Sequence, residues 1–116
     1  MAEALFVLTT VADHDAGAAL ARALLERRLA ACVNIGAPVE SLYHWRGRIE
    51  TGREVPLTIK TRASLYAEVE ALIRELHDYE LPEIVAVPAL RSATVVRTNS
   101  ASVKESPCGW FSLRLY

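Results

Sequence analysis

The chain has 116 residues, 52% of them hydrophobic and 23% charged, and its 13 Lys and Arg against 14 Asp and Glu leave a formal net charge of −1. That size and balance fit one globular domain with its own core. They exclude a global field that would draw nucleic acid or an anionic membrane. No apolar run approaches the roughly 20 residues of a bilayer span. The start Met-Ala-Glu-Ala-Leu-Phe lacks the basic region and long apolar stretch of a signal peptide. A cytoplasmic protein without membrane or nucleic-acid partners is therefore expected. Two cysteines, Cys32 and Cys108, are too few for a disulfide framework, and both are expected as reduced thiols.

Leu5 to Val11 is apolar and β-branched and reads as a first strand. Asp13 or Asp15 then caps a helix from about residue 15 to Arg28, with Leu20, Ala23 and Leu24 inside and Arg22, Glu26 and Arg27 outside. An extended pattern resumes from Leu29 to Ile35 and stops at Gly36 and Pro38. Val39 to Ile49 meets Val55 to Thr61 across Glu50-Thr51-Gly52-Arg53, the pattern of a long hairpin. Ser64 is placed to cap a second helix with the stripe Leu65, Val69, Leu72, Ile73 and Leu76. Ile84 to Val87 completes the set as a central strand. The order is an α+β, ferredoxin-like βαββαβ pattern, and right-handed crossovers put both helices on one face of the sheet.

A sheet covered on one side should be polar on the other. Leu5-Phe6-Val7-Leu8 and Ile84-Val85-Ala86-Val87 are apolar on both faces, and Ala31, Val33 and Ile35 alternate with Cys32 and Asn34. Another copy of the chain is the expected cover, with the long hairpin joining the contacts. After Leu90 the chain turns to Ser, Thr and Arg with no helical stripe, and the end carries Trp110, Phe111 and Leu113, the residues expected to dock this segment.

Chemistry concentrates in His77-Asp78-Tyr79-Glu80-Leu81-Pro82-Glu83, between the second helix and the last strand. An imidazole binds borderline divalent metals and Glu83 offers a carboxylate; a histidine at a helix end equally serves the helix dipole. No close His or Cys pair encodes a structural zinc site. Cys32 in a strand reads as a small buried hydrophobe or as a cleft residue. Tyr43 and Trp45, two apart, share one side of the hairpin and suit an interface. Lys60, at a strand end before a helix, suits an anion or simply solvent. Glu50, Glu54, Glu80 and Glu83 offer acid and base, but their spacing singles out no pair. No nucleophile elbow, phosphate loop or dinucleotide fingerprint is present.

Taken in order, Leu29-Ala30-Ala31-Cys32-Val33-Asn34-Ile35, Ser41-Leu42-Tyr43-His44-Trp45-Arg46-Gly47-Arg48-Ile49-Glu50, Lys60-Thr61 and His77-Asp78-Tyr79-Glu80-Leu81-Pro82-Glu83-Ile84 resemble the CutA family of divalent-cation tolerance proteins, over about Leu5 to Pro88. The resemblance implies a single CutA-like domain, a homotrimer with interlocking hairpins, an architecture related to the PII proteins, and response to metal ions, copper above all, without catalysis. It implies His77 and Glu83 as metal ligands, and Cys32, Tyr43, Trp45, Lys60 and Tyr79 as a ligand pocket or inter-subunit cleft. The alternative it leaves is a PII-like sensor or scaffold that binds a small anion or a partner protein through Lys60 and the hairpin. Two departures stand out. Leu8-Thr9-Thr10-Val11 lacks the first-strand cysteine that some bacterial relatives carry, and Asp78 stands where proline is usual. The family's closing helix is not matched by residues 91–116, for which an altered reading frame near codon 91 is one account.

Overall fold

The computed structural model describes residues 4–89, and these form one antiparallel sheet with both helices on one face. Strand β1 (Ala4–Val11) alternates strictly, with Leu5, Val7, Thr9 and Val11 buried, as a half-covered strand must. Helix α1 (His14–Glu26) starts where expected: the Asp13 carboxylate accepts from the Ala16 amide at 2.8 Å. Its end is a Schellman motif. The Arg28 amide bonds Leu25 O and the Leu29 amide bonds Leu24 O, with Arg28 in the left-handed region at φ 57°.

That closure explains why the second strand is shorter than expected. Leu29 folds back into the core instead of extending, and β2 begins only at Cys32, ending at Ile35. After Gly36–Pro38 the chain resumes as β3 (Val39–Trp45), which pairs with the 15-residue β4 (Arg48–Arg62). The turn between them is Arg46-Gly47, not Glu50–Arg53 as the composition suggested. Both residues have positive φ, 53° and 78°, the geometry whose twist matches a two-residue hairpin.

Strand β4 does two jobs. Residues 48–54 pair only with β3 and form a projecting arm, whereas residues 55–62 lie between β1 and β2 in the body. A 3₁₀ turn at Ala63–Leu65 leads into α2 (Tyr66–Leu76), and no side chain caps it, so Ser64 does not play that part. Strand β5 (Val85–Ala89) pairs with β1, giving the order β2-β4-β1-β5. Among the described residues β5 is therefore an edge strand, not the central one anticipated.

The core is the helix face of the sheet: Val7, Leu57 and Ile59 against Leu24 from α1 and Val69, Leu72 and Ile73 from α2. Two buried hydroxyls are satisfied, Thr61 on Leu29 O at 2.7 Å and Thr9 on Glu83 O at 2.6 Å. The opposite face carries Phe6, Leu8, Val85 and Val87 by register, with Leu8, Val85 and Val87 exposed. The expected docking of Trp110, Phe111 and Leu113 falls outside the described residues.

Candidate functional site

The arm and the segment from His77 to Glu83 face each other across a wide cleft of about 1170 Å³, lined among others by Thr10, Ser41, Tyr43, Trp45, Glu54, Tyr79 and Glu83. Register explains the arm's contribution. Val39 opposes Glu54, Ser41 opposes Gly52, Tyr43 opposes Glu50 and Trp45 opposes Arg48, so these eight residues share one face of the arm. That face is continuous with the apolar face of the body, because β4 keeps its alternation from Glu54 through Pro56 and Thr58 to Lys60.

Glu54 is the centre of the cleft. It is the last residue of β4 paired with β3, next to the first residue paired with β1. One carboxylate oxygen, Oε1, accepts from Thr10 Oγ1 at 2.9 Å and from Tyr79 Oη at 3.3 Å. The Ser41 hydroxyl bonds the same carboxylate and contributes most to holding its acidity below the ordinary 4.5; partial burial opposes, and the Thr10 and Tyr79 hydroxyls add to the lowering. Tyr79 is pushed the other way, upward from 10.0, by its burial first and then by the Glu54 charge and hydrogen bond. One anion thus ties the arm, the end of β1 and the loop after α2.

His77 sits beside this cleft but not in it. Its ring faces a recess of about 10 Å³ lined by Val11, Ala12, Ala16, Leu20 and Leu76, with Asp78 beside the ring. Nε2 lies 2.7 Å from Thr10 O, and Nδ1 accepts the Tyr79 amide at 3.0 Å. A carbonyl only accepts and an amide N–H only donates, so the ring is neutral with its proton on Nε2. The Tyr79 ring lies against it with centroids 4.6 Å apart.

The residues expected at a site therefore separate into three places. Tyr43, Trp45, Tyr79 and Glu83 line the cleft. His77 faces the apolar recess with both nitrogens engaged. Cys32 and Lys60 oppose each other on β2 and β4, on the sheet face outside the cleft lining. Cys32 is disulfide-bonded, which overturns its reading as a reduced thiol; Cys108 lies outside the described residues. No group of three or more His, Cys, Asp or Glu among the described residues is arranged to hold a metal. As they stand, His77, Glu83 and Cys32 do not fit a bound ion.

Sequence offered Glu54 only as one of four carboxylates of which no pair stood out, and did not point to Thr10 or Ser41 as site residues. With the turn placed at residues 50–53, Glu54 would oppose Ile49 beside the turn, far from Ser41; with it at Arg46-Gly47, the two-residue period brings Glu54 opposite Val39 and one pair from Ser41.

Comparison with known proteins gives one family. The family described as CutA1 divalent ion tolerance protein matches residues 5–96, eight residues beyond Pro88 and past codon 91. The Thermus thermophilus divalent-cation tolerance protein CutA is 40% identical over 82 residues, 71% of this chain and 80% of that protein. The chloroplastic CutA protein of Arabidopsis thaliana is also 40% identical over 82 residues, but the match is 45% of its length; the chain spans under half of the first such relatives. The crystal structure of CutA1 from Shewanella sp. SIB1 superposes with a TM-score of 0.77 at 42% identity, over 78% of this chain and 85% of that one. The matching family and the Thermus thermophilus protein are named for tolerance of divalent ions, the other two as CutA or CutA1, and the fold agrees with the ferredoxin-like architecture derived above. The chain belongs to the CutA1 divalent ion tolerance family.

Proposed function

We propose that the chain works in divalent-cation tolerance as a cytoplasmic homotrimer that binds a divalent ion, copper ahead of others, and turns over no substrate. The family supports the cation; the relatives are named for tolerance, not for a reaction. Copper leads because Cu²⁺ heads the divalent series for nitrogen and oxygen donors at comparable sites. The observation that carries the assembly is the exposed apolar surface. Trp45 at 56% exposure on the cleft face of the arm continues into Leu8, Val85 and Val87 on the bare face of the sheet, and Leu42 at 65% and Ile49 at 68% leave the arm's other face apolar too, a surface of the kind that marks an interaction site. A neighbouring copy over this surface would also wall the open cleft and bring donors to the carboxylates Glu50, Glu54, Glu80 and Glu83 around it.

Isothermal titration with Cu²⁺, Zn²⁺ and Mg²⁺ as inert control tests the cation. Saturable binding of copper, tighter than zinc and absent for magnesium, is the expected result; copper heats equal to those of magnesium would remove it. The second reading is a PII-like sensor or scaffold for a small anion or partner protein. Arg46, Arg48 and Arg53 around the same cleft favour it, while Lys60 lies on the sheet face instead. Thermal stabilisation by inorganic phosphate, lost in Arg53→Ala, would select it.

A further inference from the structure

We infer that His77 is a positioning residue, the fastening that sets the 77–83 wall of the cleft, and not a metal ligand. The loop is tied to the end of β1 at both its limits. His77 Nε2–H donates to Thr10 O at the start, and Thr9 Oγ1 donates to Glu83 O at the finish. The first tie is to the backbone of Thr10 and the second to the side chain of Thr9, which points to the buried helix face of β1, so the loop is held at the strand's end by two adjacent residues. Between the ties, the Tyr79 amide bonds His77 Nδ1 and the Tyr79 hydroxyl reaches Glu54. Among the described residues, the imidazole both receives the loop's backbone and grips the sheet's backbone.

The contact at Nδ1 decides between fastening and ligand. A metal-bound imidazole also orients its ring by donating the other N–H to a carbonyl, so the Thr10 contact alone fits either role. Nδ1, the nitrogen that would then face an ion, has its lone pair on the Tyr79 amide. Binding there would leave that amide without its acceptor. The surroundings weigh the same way: apart from Asp78 the recess beside the ring is walled by the apolar Val11, Ala12, Ala16, Leu20 and Leu76, while Glu83 lines the cleft instead. An ion at His77 would have to displace the Tyr79 amide from Nδ1 and would not find Glu83, the other residue of the expected pair, in the recess.

The test measures amide hydrogen exchange across residues 78–84 together with Cu²⁺ and Zn²⁺ titration, in wild type, His77→Ala and His77→Asn. An asparagine at 77 offers Oδ1 to the amide two residues on, as in an Asx turn, but no imidazole. The expected result is exchange faster by about tenfold or more in His77→Ala, recovery toward wild type in His77→Asn, and metal affinity in His77→Asn within about threefold of wild type. Loss of metal binding in both variants while exchange is unchanged would make His77 a ligand and overturn the assignment. Wild type that binds neither ion removes the cation-binding part of the proposed function; exchange alone then decides this one, and unchanged exchange in His77→Ala refutes it.

Discussion

Glu54 shows how much one side chain can join. Its carboxylate collects hydroxyls from Thr10, Ser41 and Tyr79, three elements that share no backbone hydrogen bond with one another in the cleft. Because those donors favour the ionised form, its folded acidity lies below the ordinary 4.5. The stabilisation is then present above the unfolded value and fades as pH falls through the folded one. Glu54→Gln should flatten the fall of the thermal midpoint below about pH 4.5 relative to wild type; parallel pH profiles for the two proteins would refute this. Arg28 offers a separate residue-scale test. It holds a left-handed conformation at the helix end that favours glycine, so Arg28→Gly should stabilise the fold by about 1 kcal/mol in chemical denaturation. A lower midpoint would show that the Arg28 side chain contributes more than its backbone costs.

The hairpin arm is the element where reading and outcome diverge most instructively. Its existence was legible, since Val39 to Thr61 is a long run of alternating residues. Its turn was not, because Glu50-Thr51-Gly52-Arg53 has a turn's composition while Arg46-Gly47 has a turn's geometry; Arg46 takes a positive φ that composition does not announce. The strands of the body and both helices were readable from periodicity, with α1 capped by Asp13 as its position suggested. The start of β2 was missed because Leu29 fits a strand pattern equally well when it closes a helix. The candidate site was legible as a region, since Tyr43, Trp45, Tyr79 and Glu83 converge on one cleft. Its organising residue was hidden by the misplaced turn. At Gly47, φ is 78° and nothing lies within 4 Å of an added Cβ, so Gly47→Ala isolates backbone strain from packing. It should destabilise by about 1 kcal/mol, with amide exchange rising first along residues 39–54; no change in either would contradict the positive-φ turn.

At the scale of the whole molecule, the chain's surfaces are unbalanced. The clustered core of the described residues lies between the sheet and the helices, yet Leu8, Val85 and Val87 on the far face and Tyr43 and Trp45 on the arm expose large apolar groups along the connected side on which the cleft opens. Burial of such a surface is worth about 25 cal/mol per Å², which drives association unless something covers it. The central claim is therefore that copies of this chain provide the cover and complete the cleft. Leu8 points away from the core and is 39% exposed, so Leu8→Glu places a charge on that face without touching the monomer's interior. The most direct measurement is the mass by light scattering of wild type and Leu8→Glu at micromolar concentration. The account predicts three times the chain mass for wild type and a shift toward one chain for the variant. Wild type at the mass of a single chain would contradict it.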